Sequence, residues 1–183
     1  MTQSISLKVP EELAHHLFFP EKETILEKER YAGWSETIPF EAFPYELLYY
    51  NNVEAYAPWT KGAMHVKELL ESWKGIDSEC RLLYSERKAG QTLGLMKQGI
   101  GLFLTAVFWM HGQPVALNDI RCQIQSFNNI PVNMDERLSF ILARPAFFHS
   151  YRQLSELFRE FEKQYVKFMI KNKNSQKTSK PKA

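Results

Sequence analysis

The chain has 183 residues, 44% hydrophobic and 14% aromatic, which is long and apolar enough for one domain with a sizeable core and too apolar for a disordered protein. Its formal net charge of +2 is unevenly placed. Residues 171–183 hold five lysines and no acids, and without them 18 basic residues face 21 acidic ones, a net of −3. A mildly acidic body speaks against a broad phosphate-binding face, because nonspecific nucleic-acid affinity comes from many Lys and Arg contacts.

Residues 1–9 read as a flexible arm, with neither a basic start nor a long apolar run, so no secretory signal is expected. Pro10 opens a short predicted helix through Leu17, with Glu11 and Glu12 in its first turn, and Pro20 stops it. Glu21 to Arg30 is charged and reads as a surface helix. Residues 31–60 form an irregular connector punctuated by Gly33, Pro39, Pro44 and Pro58 and dense in rings. Pro44 to Asn51 is a short helix within it.

Met64, Leu69, Leu70 and Trp73 mark one face of a helix predicted to end at Gly75. Asp77 then reads as the N-cap of another helix that carries Cys80, Leu83 and Tyr84 up to Gly90. A central helix runs from about Gln91 to His111. Its stretch Gly99–Met110 is twelve residues without charge, short of the roughly 20 that a bilayer requires, and reads as a buried core helix. Gly94 and Gly101, seven apart, predict a close helix crossing. Asn118 caps a short helix with Ile120, Ile124 and Phe127 on its face.

Asn133-Met134-Asp135-Glu136 reads as a capping box opening a helix that runs to Ala143 or Arg144, ahead of Pro145. The last helix is the clearest. Phe147, Tyr151, Leu154, Phe158, Phe161, Tyr165 and Phe168 recur at steps of four and three, drawing one apolar stripe. Its rings suit a bundle interior better than the seam of a coiled-coil dimer. From Lys171 on, a basic disordered tail is expected. No alternating segment predicts a sheet, so the expectation is an all-α, single-domain helical bundle over residues 10–170 with an aromatic-rich irregular connector.

Chemistry-bearing patterns are sparse. Cys80 and Cys122 fit a reducing cytosol and no disulfide framework, and hence a cytoplasmic protein. The five histidines make no metal-ligand pair, and Glu12-x-x-His15 is a single copy of a motif that a di-metal bundle needs twice. The glycines of 94–101 lack both the Walker ending and the dinucleotide spacing, and no nucleophile elbow occurs. No cofactor, metal or catalytic set is therefore assigned, and an enzyme is the less favoured reading. Candidate interaction or pocket residues are Trp59, Arg81, Trp109, His111, Glu136 and Arg137. The Glu136-Arg137 pair at the helix start reads first as simple capping; the alternative is that Arg137 anchors an anion or holds the Pro58-Trp59 connector. Arg81, His111, Glu136 and Arg137 would be the polar groups of a catalytic pocket.

Several of these features together resemble the YpoC-like family of Bacillus-type bacteria. They are Tyr49-Tyr50-Asn51, Pro58-Trp59, Trp73, Trp109, Asn133-x-x-Glu136-Arg137-Leu138 followed by Phe140-Ile141, and the aromatic last helix, over roughly residues 38–168. The resemblance implies an intracellular helical protein with no assigned activity. Three functions compete: a non-enzymatic protein-interaction or adaptor module, favoured for its ring-rich connector; a nucleic-acid or anionic-surface accessory using Lys171, Lys173, Lys177, Lys180 and Lys182; and an enzyme with a pocket in the bundle.

Overall fold

The computed structural model describes residues 4–34 and 42–178. Among the described residues six α-helices carry the fold: α1 (Pro44–Tyr50), α2 (Gly62–Ser85), α3 (Leu93–Met110), α4 (Ile120–Gln125), α5 (Met134–Ala143) and α6 (Phe148–Thr178). The centre is a layer of three long helices. Trp73 of α2 stacks on Phe158 of α6 with ring centroids 4.3 Å apart, and Phe103 of α3 meets the edges of Phe158 and Phe161. Tyr165 donates to the carbonyl of Ala63, so α6 runs back along α2 from its end to its start. α3 is long and apolar enough, by length and composition, to cross a membrane, but 61% of it is buried among these partners and it is the core helix of the bundle.

Close approach within this layer falls at Gly99 and not at Gly94. A Cβ on Gly99 would lie 2.5 Å from the Trp73 ring, whereas Gly94 faces open space. The tightest contact is at Gly62, where an added Cβ would sit 1.8 Å from the carbonyl oxygen of Trp109. Gly62 thus lets the start of α2 rest on the end of α3.

Several expectations are corrected. α2 does not stop at Gly75, and Asp77 is no cap. The helix continues because Trp73 and Cys80 are buried in the core on either side, and burial of that size outweighs the roughly 1 kcal/mol that a mid-helix glycine costs. The capping box does not form. Asn133 sits at φ 53°, in the left-handed region, and its side chain makes no cap hydrogen bond. A capping side chain reaches the first-turn N–H groups from an extended backbone. Phe147 precedes α6 and is exposed, outside the buried stripe. At the other end α6 extends through Lys171 and Lys173 to Thr178, where a disordered tail was expected. Lys180 and Lys182 lie outside the described residues.

The N-terminal segment is also not a loose arm. Ser4–Lys8 (β1) pairs antiparallel with Glu23–Glu27 (β2), in the register Ile5↔Leu26 and Leu7↔Thr24. Ile5, Leu7, Thr24 and Leu26 share one face, with Leu7 and Leu26 buried. The expected surface helix over 21–30 is therefore largely strand, and the helix expected from Pro10 is a single 3-10 turn, Glu11–Leu13. Helix α1 and the segment joining the two strands pack along α3, from Lys97 near its start to Trp109 at its end. The Leu117 amide donates to the Glu12 carbonyl at 2.6 Å, and Lys97 Nζ to that of Phe18 at 3.1 Å.

Candidate functional site

Two places combine polar chemistry with aromatic rings. The first is interior, where α1 meets the end of α3. Glu46 of α1 is buried. Its Oε1 accepts from the Trp109 indole Nε1 at 2.7 Å and from the Val115 amide at 3.3 Å. Its Oε2 has no partner among the described residues. Burial penalises the charged carboxylate, the hydrogen bonds from Trp109 and the backbone offset only part of that, and the carboxyl is pushed up to about 7.

Around it the rings pack on one another. Trp34 lies 5.4 Å from Trp109 and 4.6 Å from His65, and Tyr45 lies 5.9 Å from Trp109. Trp34 Nε1 donates to Glu68, and Tyr56 Oη lies 3.0 Å from His65 Nε2. Burial holds the His65 imidazole below its usual range, although Glu68, 3.9 Å away, pulls it the other way. This interior therefore holds an acid that keeps its proton more readily than a free carboxyl and an imidazole that takes one up less readily, both packed against indoles. Its geometry suits holding α1 to α3.

The second place is at the surface, where α5 turns into α6. An open groove of about 270 Å³ is lined by Glu136, Arg137, Phe140, His149 and Gln153. Arg137 forms its floor. Nε donates to Gln153 Oε1 at 2.8 Å, and Nη1 to both Glu160 oxygens at 3.0 and 3.1 Å and to the Val132 carbonyl at 3.4 Å. The side chain is fixed before any ligand arrives. Large rings stand exposed around the corner: Phe140 at 39%, Phe147 at 55% and Phe148 at 53%. The Arg144 guanidinium lies over the Phe147 ring, 5.6 Å from its centroid.

The six sequence candidates do not converge. Glu136 and Arg137 share the groove. Trp109 belongs to the interior cluster. Trp59 is buried against Tyr49, and Arg137 is bound to α6 rather than to the Pro58-Trp59 connector. Arg81 is exposed and pairs with Asp77, 2.7 Å away. His111 stacks on Phe127, and its two ring nitrogens reach the carbonyls of Val107 and Asn128. Among the described residues, no three His, Cys, Asp or Glu side chains come close enough to hold a metal.

Sequence reasoning missed Glu46, Glu68 and His65, and it missed Asp77 as an acceptor. Asp77 takes hydrogen bonds from Tyr151 at 2.9 Å and Ser155 at 3.2 Å, tying α2 to α6. Burial first, and then Asp77, push the Tyr151 phenol to about 12. A signal for Glu46 was present in Tyr45-Glu46-Leu47-Leu48-Tyr49-Tyr50, one acid among five apolar or aromatic residues.

Residues 63–173 match the family described as YpoC-like protein. The chain belongs to the YpoC-like family. A relative named Uncharacterized protein YpoC, from Bacillus subtilis (strain 168), is 31% identical over 117 residues, which cover 63% of this chain and 71% of that protein. No solved structure matches. The YpoC-like match begins at α2, later than the resemblance suggested. The groove residues, Trp109, His65 and Glu68 fall inside it, while Trp34, Glu46 and the Tyr49-Tyr50-Asn51 and Pro58-Trp59 segments fall outside.

Proposed function

We propose that this YpoC-like chain is a protein-interaction module and that its docking surface is the corner between α5 and α6. The observation that carries this reading is the set of three exposed phenylalanines beside a groove whose arginine is already held in place. Exposed rings gain most from a partner, because each buries a large area at little cost in rotamer entropy. A fixed arginine loses little freedom on binding. Glu136, His149 and Arg144 supply the polar rim. The ring-rich connector first favoured for docking is a weaker candidate, since Tyr31, Phe43, Tyr45 and Trp59 are core residues.

The test is quantitative affinity capture with the full chain, comparing wild type, Phe140→Ser/Phe147→Ser, and Ile25→Ser as a control at an exposed apolar position of the hairpin. The corner variant is expected to lose a partner that the control retains. An identical set of partners for all three chains overturns the reading.

A further inference from the structure

We infer that the last turns of α6 form a reversible attachment site for an anionic phospholipid surface. The last acid in the chain is Glu162, and residues 163–183 contain seven lysines and no acid. Because α6 is helical to Thr178, the first of these lysines are arrayed on a rigid cylinder rather than on a disordered tail. At 100° per residue, Lys163, Val166, Lys167, Ile170, Lys171 and Lys173 fall within about 160° of its circumference. This arc points away from the core, which takes Phe161 and Tyr165. From Ile170 to Asn174 every residue is exposed, including Asn172 on the inward side, so the helix has passed the end of the body.

Val166 and Ile170 decide between polyanions. They are 49% and 56% exposed, four residues apart, in the middle of the lysines. A nucleic-acid backbone needs only the cations and gives two aliphatic side chains nothing to bury against. At a lipid interface they enter the boundary between headgroups and acyl chains while lysine stems reach back to the phosphates. Two aliphatic residues are few, so attachment depends on charge and is salt-sensitive. The site is independent of the α5–α6 corner. Phe148 and Lys171 are 23 residues apart on one helix, about 35 Å at 1.5 Å per residue, so a lipid-bound chain still presents its corner to a partner.

Vesicle co-sedimentation of the full chain tests this, with phosphatidylcholine vesicles, vesicles containing about 30% phosphatidylglycerol, and a DNA duplex as competing polyanion, all near 0.1 M salt. Binding to the anionic vesicles is expected, with little to phosphatidylcholine. Lys163→Gln/Lys167→Gln should weaken it about 25-fold, at about fivefold per lysine. Val166→Ser/Ile170→Ser, which leaves every charge in place, should weaken it about tenfold. All four side chains are exposed, so circular dichroism should show both variants folded. Equal partition onto neutral and anionic vesicles overturns the inference. So does duplex binding tighter than vesicle binding and unchanged by Val166→Ser/Ile170→Ser, which assigns the face to nucleic acid.

Discussion

The two aromatic regions of this molecule use the same residue types in opposite ways. Among the described residues of 31–60, Tyr31, Phe43, Tyr45 and Trp59 turn inward, beside a carboxyl that burial pushes up to about 7. At the α5–α6 corner the rings are exposed beside an arginine paired with Glu160. A ring can enclose a lone acid because a carboxyl escapes the desolvation penalty by taking up a proton, an escape that a guanidinium lacks. The buried region should therefore govern stability and its pH dependence. The corner should govern association while leaving stability nearly untouched.

The sharpest way to break this contrast is Gly62→Ala. The added methyl would meet the Trp109 backbone carbonyl at 1.8 Å, a group that cannot swing aside, and would push α2 away from the indole that holds Glu46. A loss of more than about 3 kcal/mol is expected in denaturant unfolding. An unchanged midpoint would mean that the start of α2 moves freely and that the interior cluster is not a fixed unit.

Next comes pH. The Glu46 carboxyl rises from 4.5 to about 7 on folding, so between those values the native state holds a proton that the unfolded chain has released. Stability contributed by the protonated acid is complete below 4.5, falls as pH rises through this window, and levels off above about 7. The expected loss is about 3 kcal/mol. His65 and His15, both held below their ordinary 6.5, act in the opposite direction at acid pH. The difference between wild type and Glu46→Gln isolates the acid: the variant should be the more stable above pH 7, and the gap should close toward pH 5. A gap independent of pH would place the Glu46 proton elsewhere.

Smaller effects are expected at the corner. Arg137→Gln removes the contacts to Glu160 and Val132 and should cost about 1 kcal/mol, measured by thermal unfolding. Phe140→Ser should cost about 1 kcal/mol, since the residue is 39% exposed and only part of its ring leaves water on folding. A loss at Phe140 as large as that at Gly62 would make the corner part of the core and remove the basis for docking there.

How much was legible depended on how local each signal was. Tyr151, Leu154, Phe158, Phe161 and Tyr165 are buried as their spacing requires, and α3 fills the centre as its uncharged stretch predicts. Ser4–Lys8 does alternate in apolar and polar residues, but five residues are a weak signal, and their partner strand lies far along the chain with Ile25 and Leu26 adjacent, which obscures the period of two. Of the candidate residues, Glu136 and Arg137 meet in one groove because they are neighbours on α5. Arg81 and His111 were grouped with them by chemistry alone and lie on other elements.

The sequence by itself determined that α3, α5 and α6 form and which face α6 buries, since apolar period and length act over one or two turns. It also carried the charge reversal at Lys163, a matter of composition. Only the tertiary structure decided that α2 runs through Gly75, that Gly62 touches Trp109, and that Glu46 loses its water while Phe140 and Phe147 keep theirs. Each of these depends on what arrives from another part of the chain, and desolvation has no value until that neighbour is in place.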